Sequence, residues 1–242
     1  TKALESVKND TQDYITQYIR YCWNSMYEFS RKRELFKNIT NEIKLDSRTT
    51  HPFPNALFSL YEPYITMVDP MKGKAFESKE IIDKISGLKA MRIRAYFPIV
   101  LALKYKEYDE KQILETVSNL ESMLFRNIII GNKTANMYEK DLSSYAFDIT
   151  NGIAIEEINK KIISDTNDDE TFRADFKKYK AGTKELSKYI LKEIYDQRSP
   201  EVEIKKDGNK VHLEHIMPED VSKWEVEKSV HEKNLNRIGN LT

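Results

Sequence analysis

The stretch 109–128, DEKQILETVSNLESMLFRNI, decides the fold class. Ile113, Leu114, Val117, Leu120, Met123, Leu124 and Ile128 recur there at spacings of three and four, the period of one face of an α-helix. Asp109 stands at the N-cap position, and Gln112, three residues on, completes the pattern of a capping box. Working outward, helical patterning continues on both sides. Residues 6–44 read as one long tract with Tyr14, Tyr18, Cys22, Met26 and Phe29 on an apolar stripe. The loop 49–55, which contains THPFPN, breaks that tract, because each proline removes a donor and pushes its predecessor toward extended geometry. Ser78 is placed to cap a helix through Gly87, and 89–105 reads as a buried helix interrupted at Pro98. Two further helices are expected at 142–164 and 171–198. The acidic run DTNDDE, 165–170, separates them and caps the second through Asp169.

Composition agrees with a helical protein. Only 7 Gly and 7 Pro in 242 residues leave little material for the turns of an all-β fold. Hydrophobic residues make up 40% and charged residues 32%, which is globular and excludes disordered or collagen-like chains. The longest apolar stretch, Tyr96 to Leu103, is less than half of the roughly 20 residues that a membrane-crossing helix needs. The first ten residues hold no apolar signal region, and the single cysteine, Cys22, has no disulfide partner in the chain, so a reducing cytoplasm is the expected setting. Cys22 itself is expected to pack in the core, since no histidine lies near it in sequence to activate a thiol. Lys plus Arg (39) balance Asp plus Glu (39), so any nucleic-acid contact must be local. The best basic patches are Arg31-Lys32-Arg33 and the group Lys89, Arg92 and Arg94. The chain opens without Met and stops at GNLT, and reads as a piece of a longer protein.

At Ser199-Pro200 the pattern changes. Val202 and Ile204 alternate with charges, Asp207-Gly208 suits a hairpin turn, and Val211 and Leu213 alternate again. The expected organisation is a helical body over 1–198 and a small module over 199–242. Three of the four histidines, His212, His215 and His231, fall in that module. On a strand, His212 and Glu214 point to one face and His215 to the other, so the three side chains do not form one metal cage. No cysteine lies nearby, which also argues against a zinc finger.

The string Leu213-Glu214-His215-Ile216-Met217-Pro218, then Trp224, His231 and Asn236-Arg237-Ile238-Gly239-Asn240-Leu241-Thr242, resembles the HNH-type nuclease domain of GmrSD-type, modification-dependent (type IV) restriction endonucleases. In that family the pattern reads approximately EHIxP, a tryptophan, then RIGNLTLL. Weaker landmarks upstream extend the resemblance to about residues 90–242. They are Arg94-Ala95-Tyr96-Phe97-Pro98, the 120–126 helix followed by Thr134-Ala135-Asn136, and Tyr189-Ile190-Leu191.

The resemblance implies a mainly α chain: a multi-helix body followed by a small ββα-metal module that stops before its last helix, which in the family supplies a further metal ligand. It implies a DNA endonuclease that hydrolyses phosphodiesters of modified phage DNA. His215 takes the place of the general base and Asn240 that of its orienting partner. Glu214 is the candidate ligand for one divalent ion, Mg²⁺ or Mn²⁺. The pattern departs from many HNH sites in having Glu where Asp precedes the base. Arg237 suits a phosphate oxygen, and His212 is a lesser candidate for DNA contact. A ParB-like, nucleotide-using N-terminal domain is implied in the same or a partner chain; this sequence holds neither a DGQQR-like loop nor a Walker A motif. Residues 201–242 carry seven basic against nine acidic side chains, so the module would not hold DNA by counterion release alone. The competing expectation is a helical module that binds a partner or nucleic acid and carries a purely structural HNH remnant. His231, in the connection between His215 and Asn240, reads as a surface residue, and Trp224 as a packing anchor for the long loop.

Overall fold

In the computed structural model, residues 2–45, 51–198, 212–220, 222 and 224–242 are described, with the main chain alone for 2–12 and 45. The N-terminal unit, residues 1–166, contains α1 (Lys2–Met26), α2 (Leu35–Leu45), α3 (Pro52–Ser59), α4 (Tyr61–Val68), α5 (Lys79–Ala90), α6 (Phe97–Tyr105), α7 (Glu110–Leu124), a π-helix (Phe125–Ile130), α8 (Ala135–Thr150) and α9 (Ile155–Ser164). Every side chain from Phe97 to Leu103 is buried, and a helix that is apolar all round has to lie inside. Accordingly α6 is the centre of this unit, with α1, α4, α7 and α8 packed against it, while α5 and α9 pack on α7. Tyr21 and Phe97 rings lie 5.1 Å apart and Tyr64 and Phe97 rings 5.8 Å apart, tying α1, α4 and α6 together. Such pairs add about 0.5–1.5 kcal/mol each beyond area burial. Cys22 sits fully buried in the same core, and burial pushes its thiol up to about 12. Among the described residues, no helix is long and apolar enough to cross a membrane.

Several helix boundaries differ from the expected ones, each for a local reason. The tract 6–44 is two helices. The buried Asn24 side chain accepts from the Ser30 amide at 2.9 Å and donates to the Ser30 carbonyl at 3.3 Å, which folds the chain back after α1. Within THPFPN a helix begins rather than ends: Pro52 occupies the first turn of α3, and His51 caps it by accepting from the Phe53 amide through Nδ1. Pro98 likewise lies in the first turn of α6, and the interruption falls before it, where Arg92 takes a positive φ of 59°. The helix expected over 142–164 divides at Gly152, whose φ of 90° suits a residue without Cβ. Asp109 and Ser78 cap as expected, accepting from the amides of Gln112 and Ile81.

The C-terminal unit covers residues 167–242. It contains α10 (Asp169–Phe176), α11 (Lys184–Arg198), α12 (Lys228–Asn234) and a 3₁₀ turn, Ile238–Asn240. Asp168, not Asp169, caps α10: its carboxylate accepts from the Thr171 amide at 2.8 Å, which holds it below the usual carboxylate range. This division by contacts gives α10 and α11 to the C-terminal unit, ahead of the change of period at 199. The expected hairpin over 199–211 lies outside the described residues. Among those described there is no strand, only two isolated antiparallel bridges, Lys180 with Arg237 and His215 with Leu241. The mainly α class holds; the ββα arrangement is not formed among the described residues.

Candidate active site

From 212 to 217 the exposure alternates, with His212, Glu214 and Ile216 outward and Leu213, His215 and Met217 half-buried, as an extended chain requires. Glu214 exchanges both main-chain hydrogen bonds with Thr242, at 2.9 and 3.0 Å, and the Ile216 amide donates to the Asn240 carbonyl at 2.8 Å. His215 and Leu241 are therefore a non-hydrogen-bonded antiparallel pair, with side chains on one face. Leu241 is buried, so His215 lies on the inner side and the Glu214 carboxylate on the outer one.

Asn240 is buried and its amide is fully engaged. Oδ1 accepts from the Met217 amide at 2.7 Å, and Nδ2 donates to the carbonyls of Met217 at 3.1 Å and Leu235 at 2.9 Å. The structure thus brings 215 and 240 together through the main chain. Asn240 braces the two residues after His215 and makes no hydrogen bond to the ring. His231, read from sequence as a surface residue, is buried on α12, and its Nε2 lies 2.9 Å from the Pro218 carbonyl. Two side chains 13 and 23 residues downstream therefore hold the turn that follows His215.

The His215 ring has two different ends. Its Nδ1 is 3.9 Å from Glu219 Oε1, while its Nε2 is shielded from solvent and has no hydrogen-bond partner. Arg237 Nε is likewise buried and unpartnered, and these are the two such side-chain atoms in the described part of this unit. Buried polar atoms without partners are uncommon and call for an explanation, an absent ligand among them. His212 shares the exposed face of Glu214. Trp224, expected as a packing anchor, is exposed.

A metal finds only a partial set of ligands. Among the described residues no three His, Cys, Asp or Glu side chains converge on one point. Glu214 is the carboxylate next to His215 in sequence, but it leaves on the opposite face.

In the N-terminal unit both basic patches are partly neutralised by their own neighbours. Lys32 pairs with Asp13 at 2.5 Å, Arg33 with Glu34 at 3.1 Å and Lys89 with Asp69 at 3.4 Å, while Arg94 donates to Gln17 at 3.2 Å. Sequence reasoning passed over Lys180, which pairs with Arg237, and undervalued His231. Period-based reading carries no signal for a lysine in an irregular connection or for a histidine buried on a two-turn helix.

No curated protein and no solved structure matches the chain. Residues 165–242 match the family described as GmrSD restriction endonucleases, C-terminal domain, a span that agrees to within two residues with the C-terminal unit defined by contacts. Residues 90–164, where the weaker landmarks lie, fall outside that match. The segment 165–242, which carries the bridge between His215 and Leu241, is thus similar to the C-terminal domain of the GmrSD restriction endonucleases.

Proposed function

We propose that the C-terminal unit is the nuclease part of a modification-dependent restriction endonuclease that hydrolyses phosphodiesters of modified phage DNA, with His215 as general base. One observation carries the reading: among the described residues of the family-matched segment, the buried side-chain polar atoms left unpartnered are His215 Nε2 and Arg237 Nε, a proton acceptor and a phosphate-binding group. The Glu219 carboxylate 3.9 Å from Nδ1 is too far for a hydrogen bond but favours the proton on Nδ1, which leaves Nε2 basic. Nε2 then removes a proton from water, and the same carboxylate offsets the charge that develops on the ring. Arg237 holds a phosphate oxygen with its planar fork. Asn240 and His231 act on this chemistry by fixing the main chain of 217–218.

Glu214 is the carboxylate that the resemblance offers to a Mg²⁺ or Mn²⁺ ion, but it leaves on the face opposite His215, so the steps above are routed through the side chains alone. The HNH-type assignment, the nucleotide-using ParB-like domain in the same or a partner chain, and a lesser DNA contact through His212 are parts of the same proposal. The test is cleavage of modified phage DNA and of unmodified plasmid by the full-length protein with Mg²⁺ or Mn²⁺. Cutting confined to modified DNA and lost in His215→Ala is expected. Unchanged cutting by that variant would defeat His215 as the base, and no cutting by the wild-type protein would leave the second reading, a binding module with a structural remnant, which the commitment of Asn240 and His231 to main-chain contacts favours.

A further inference from the structure

The bridge between Lys180 and Arg237 sets two cations face to face. The Ala181 amide donates to the Asn236 carbonyl at 2.8 Å, so 180 and 237 form the non-hydrogen-bonded kind of antiparallel pair, in which side chains share one face and Cα atoms are about 4.5 Å apart. Like charges directly opposite one another destabilise such a pair unless something neutralises them. No carboxylate of the described residues does so for either side chain. Lys180 Nζ donates to the neutral Glu232 carbonyl at 3.3 Å, which leaves an ammonium with donors to spare, and Arg237 Nε has neither solvent nor partner. Lys180 is exposed and keeps donors free beside the orphaned Arg237 Nε, so the paired positions offer an anion with more than one oxygen a place to bind.

We infer that Lys180 and Arg237 together form a subsite for a DNA backbone phosphate next to the one attacked, with Lys180 as a substrate-positioning residue. The inference rests on the reading of this unit as a DNA nuclease and adds to it a residue outside the His215 to Asn240 module. Arg237 opens the 3₁₀ turn that leads to Leu241, the partner of His215, so the subsite and the reacting centre are separated by one short turn. A 3₁₀ rise of about 2.0 Å per residue puts the two main-chain positions roughly 8 Å apart along the turn, a spacing that suits neighbouring phosphates of one strand. Lys180 supplies charge, Arg237 supplies the fork, and the Glu232 carbonyl holds the ammonium in place.

The experiment uses the full-length protein and a duplex DNA, with binding measured by fluorescence anisotropy across a salt titration and cleavage measured alongside. Lys180→Gln keeps a side-chain amide donor and removes the charge, whereas Lys180→Arg keeps the charge. Lys180→Gln is expected to make the log–log salt dependence of binding shallower by about one, the loss of one phosphate contact, and to raise KM with kcat unchanged. Lys180→Arg is expected to restore both. Wild-type salt slope and KM in Lys180→Gln would overturn the subsite, as would Lys180→Arg behaving like Lys180→Gln. Because the slope is read on binding alone, it decides the subsite even if His215→Ala proves to cut normally and the general-base reading falls.

Discussion

Replacing Asn240 by Ala removes three hydrogen bonds with one side chain: Met217 N–H to Oδ1 at 2.7 Å, and Nδ2 to the carbonyls of Met217 and Leu235 at 3.1 and 2.9 Å. A typical hydrogen bond contributes about 0.5–1.5 kcal/mol net, and a buried group left without its partner costs about 1–3 kcal/mol. Since the three share one amide, the expected loss is about 2–4 kcal/mol rather than the sum of three separate deletions. At about 4–8 °C per kcal/mol for a domain of this size, the C-terminal unit should melt about 8 °C or more lower. Amide hydrogen exchange at Met217 is the direct assay, because its N–H is the one that Asn240 covers; its protection should fall by the same free energy. The isosteric Asn240→Asp sharpens the test. It keeps an acceptor for Met217 N–H but points a carboxylate oxygen at two carbonyls, so it should destabilise at least as much as Ala at neutral pH. Below about pH 4 the protonated acid can donate again and should recover part of the loss. A change under about 0.5 kcal/mol with unaltered Met217 exchange would refute the claim that Asn240 clamps this turn.

Three further perturbations test other parts of the molecule. His231→Leu removes the contact between Nε2 and the Pro218 carbonyl and should cost about 1 kcal/mol in thermal unfolding, with His231→Gln recovering part of it; equal stability of all three proteins would contradict the brace. Cys22, with its thiol pushed up to about 12, should resist alkylation at pH 8 in the folded protein. Because its folded value is raised, the stability it contributes is complete below the ordinary thiol range near 8.5 and declines as pH rises toward 12; rapid labelling at pH 8 would contradict its burial. Gly73→Ala would drive a Cβ into the Thr66 side chain and main chain, so it should cost about 1–3 kcal/mol by denaturant titration, and an unchanged midpoint would contradict the close approach.

What could be read ahead from sequence follows from which interactions are local. Asp109 and Ser78 announce their helices because a cap bonds an amide three residues away, and the run Tyr96 to Leu103 announces the core because α6 has no polar face. The break after α1 was not legible, since it depends on a buried Asn24 side chain reaching the main chain of Ser30, a contact without periodicity. Pro52 and Pro98 were read as breaks, although proline in a first turn begins a helix equally well. At the site, the EHIMP and RIGNLT strings point to His215 and Asn240 through the resemblance, and the structure pairs His215 with Leu241, the residue after Asn240. The use made of Asn240, with both amide ends spent on backbone, and the pairing of Lys180 with Arg237 depend on non-local folding, for which neighbouring residues give no signal.

The most direct test of the central claim, that His215 Nε2 takes the proton from the attacking water, is chemical rescue. His215→Gly opens a space where the ring stood, and its single-turnover rate of DNA cleavage can be measured with and without added imidazole. A loss of about 10² to 10⁴-fold is expected, partly restored by imidazole, with no effect of imidazole on the wild-type protein. Cleavage by His215→Gly at the wild-type rate in the absence of imidazole would contradict it.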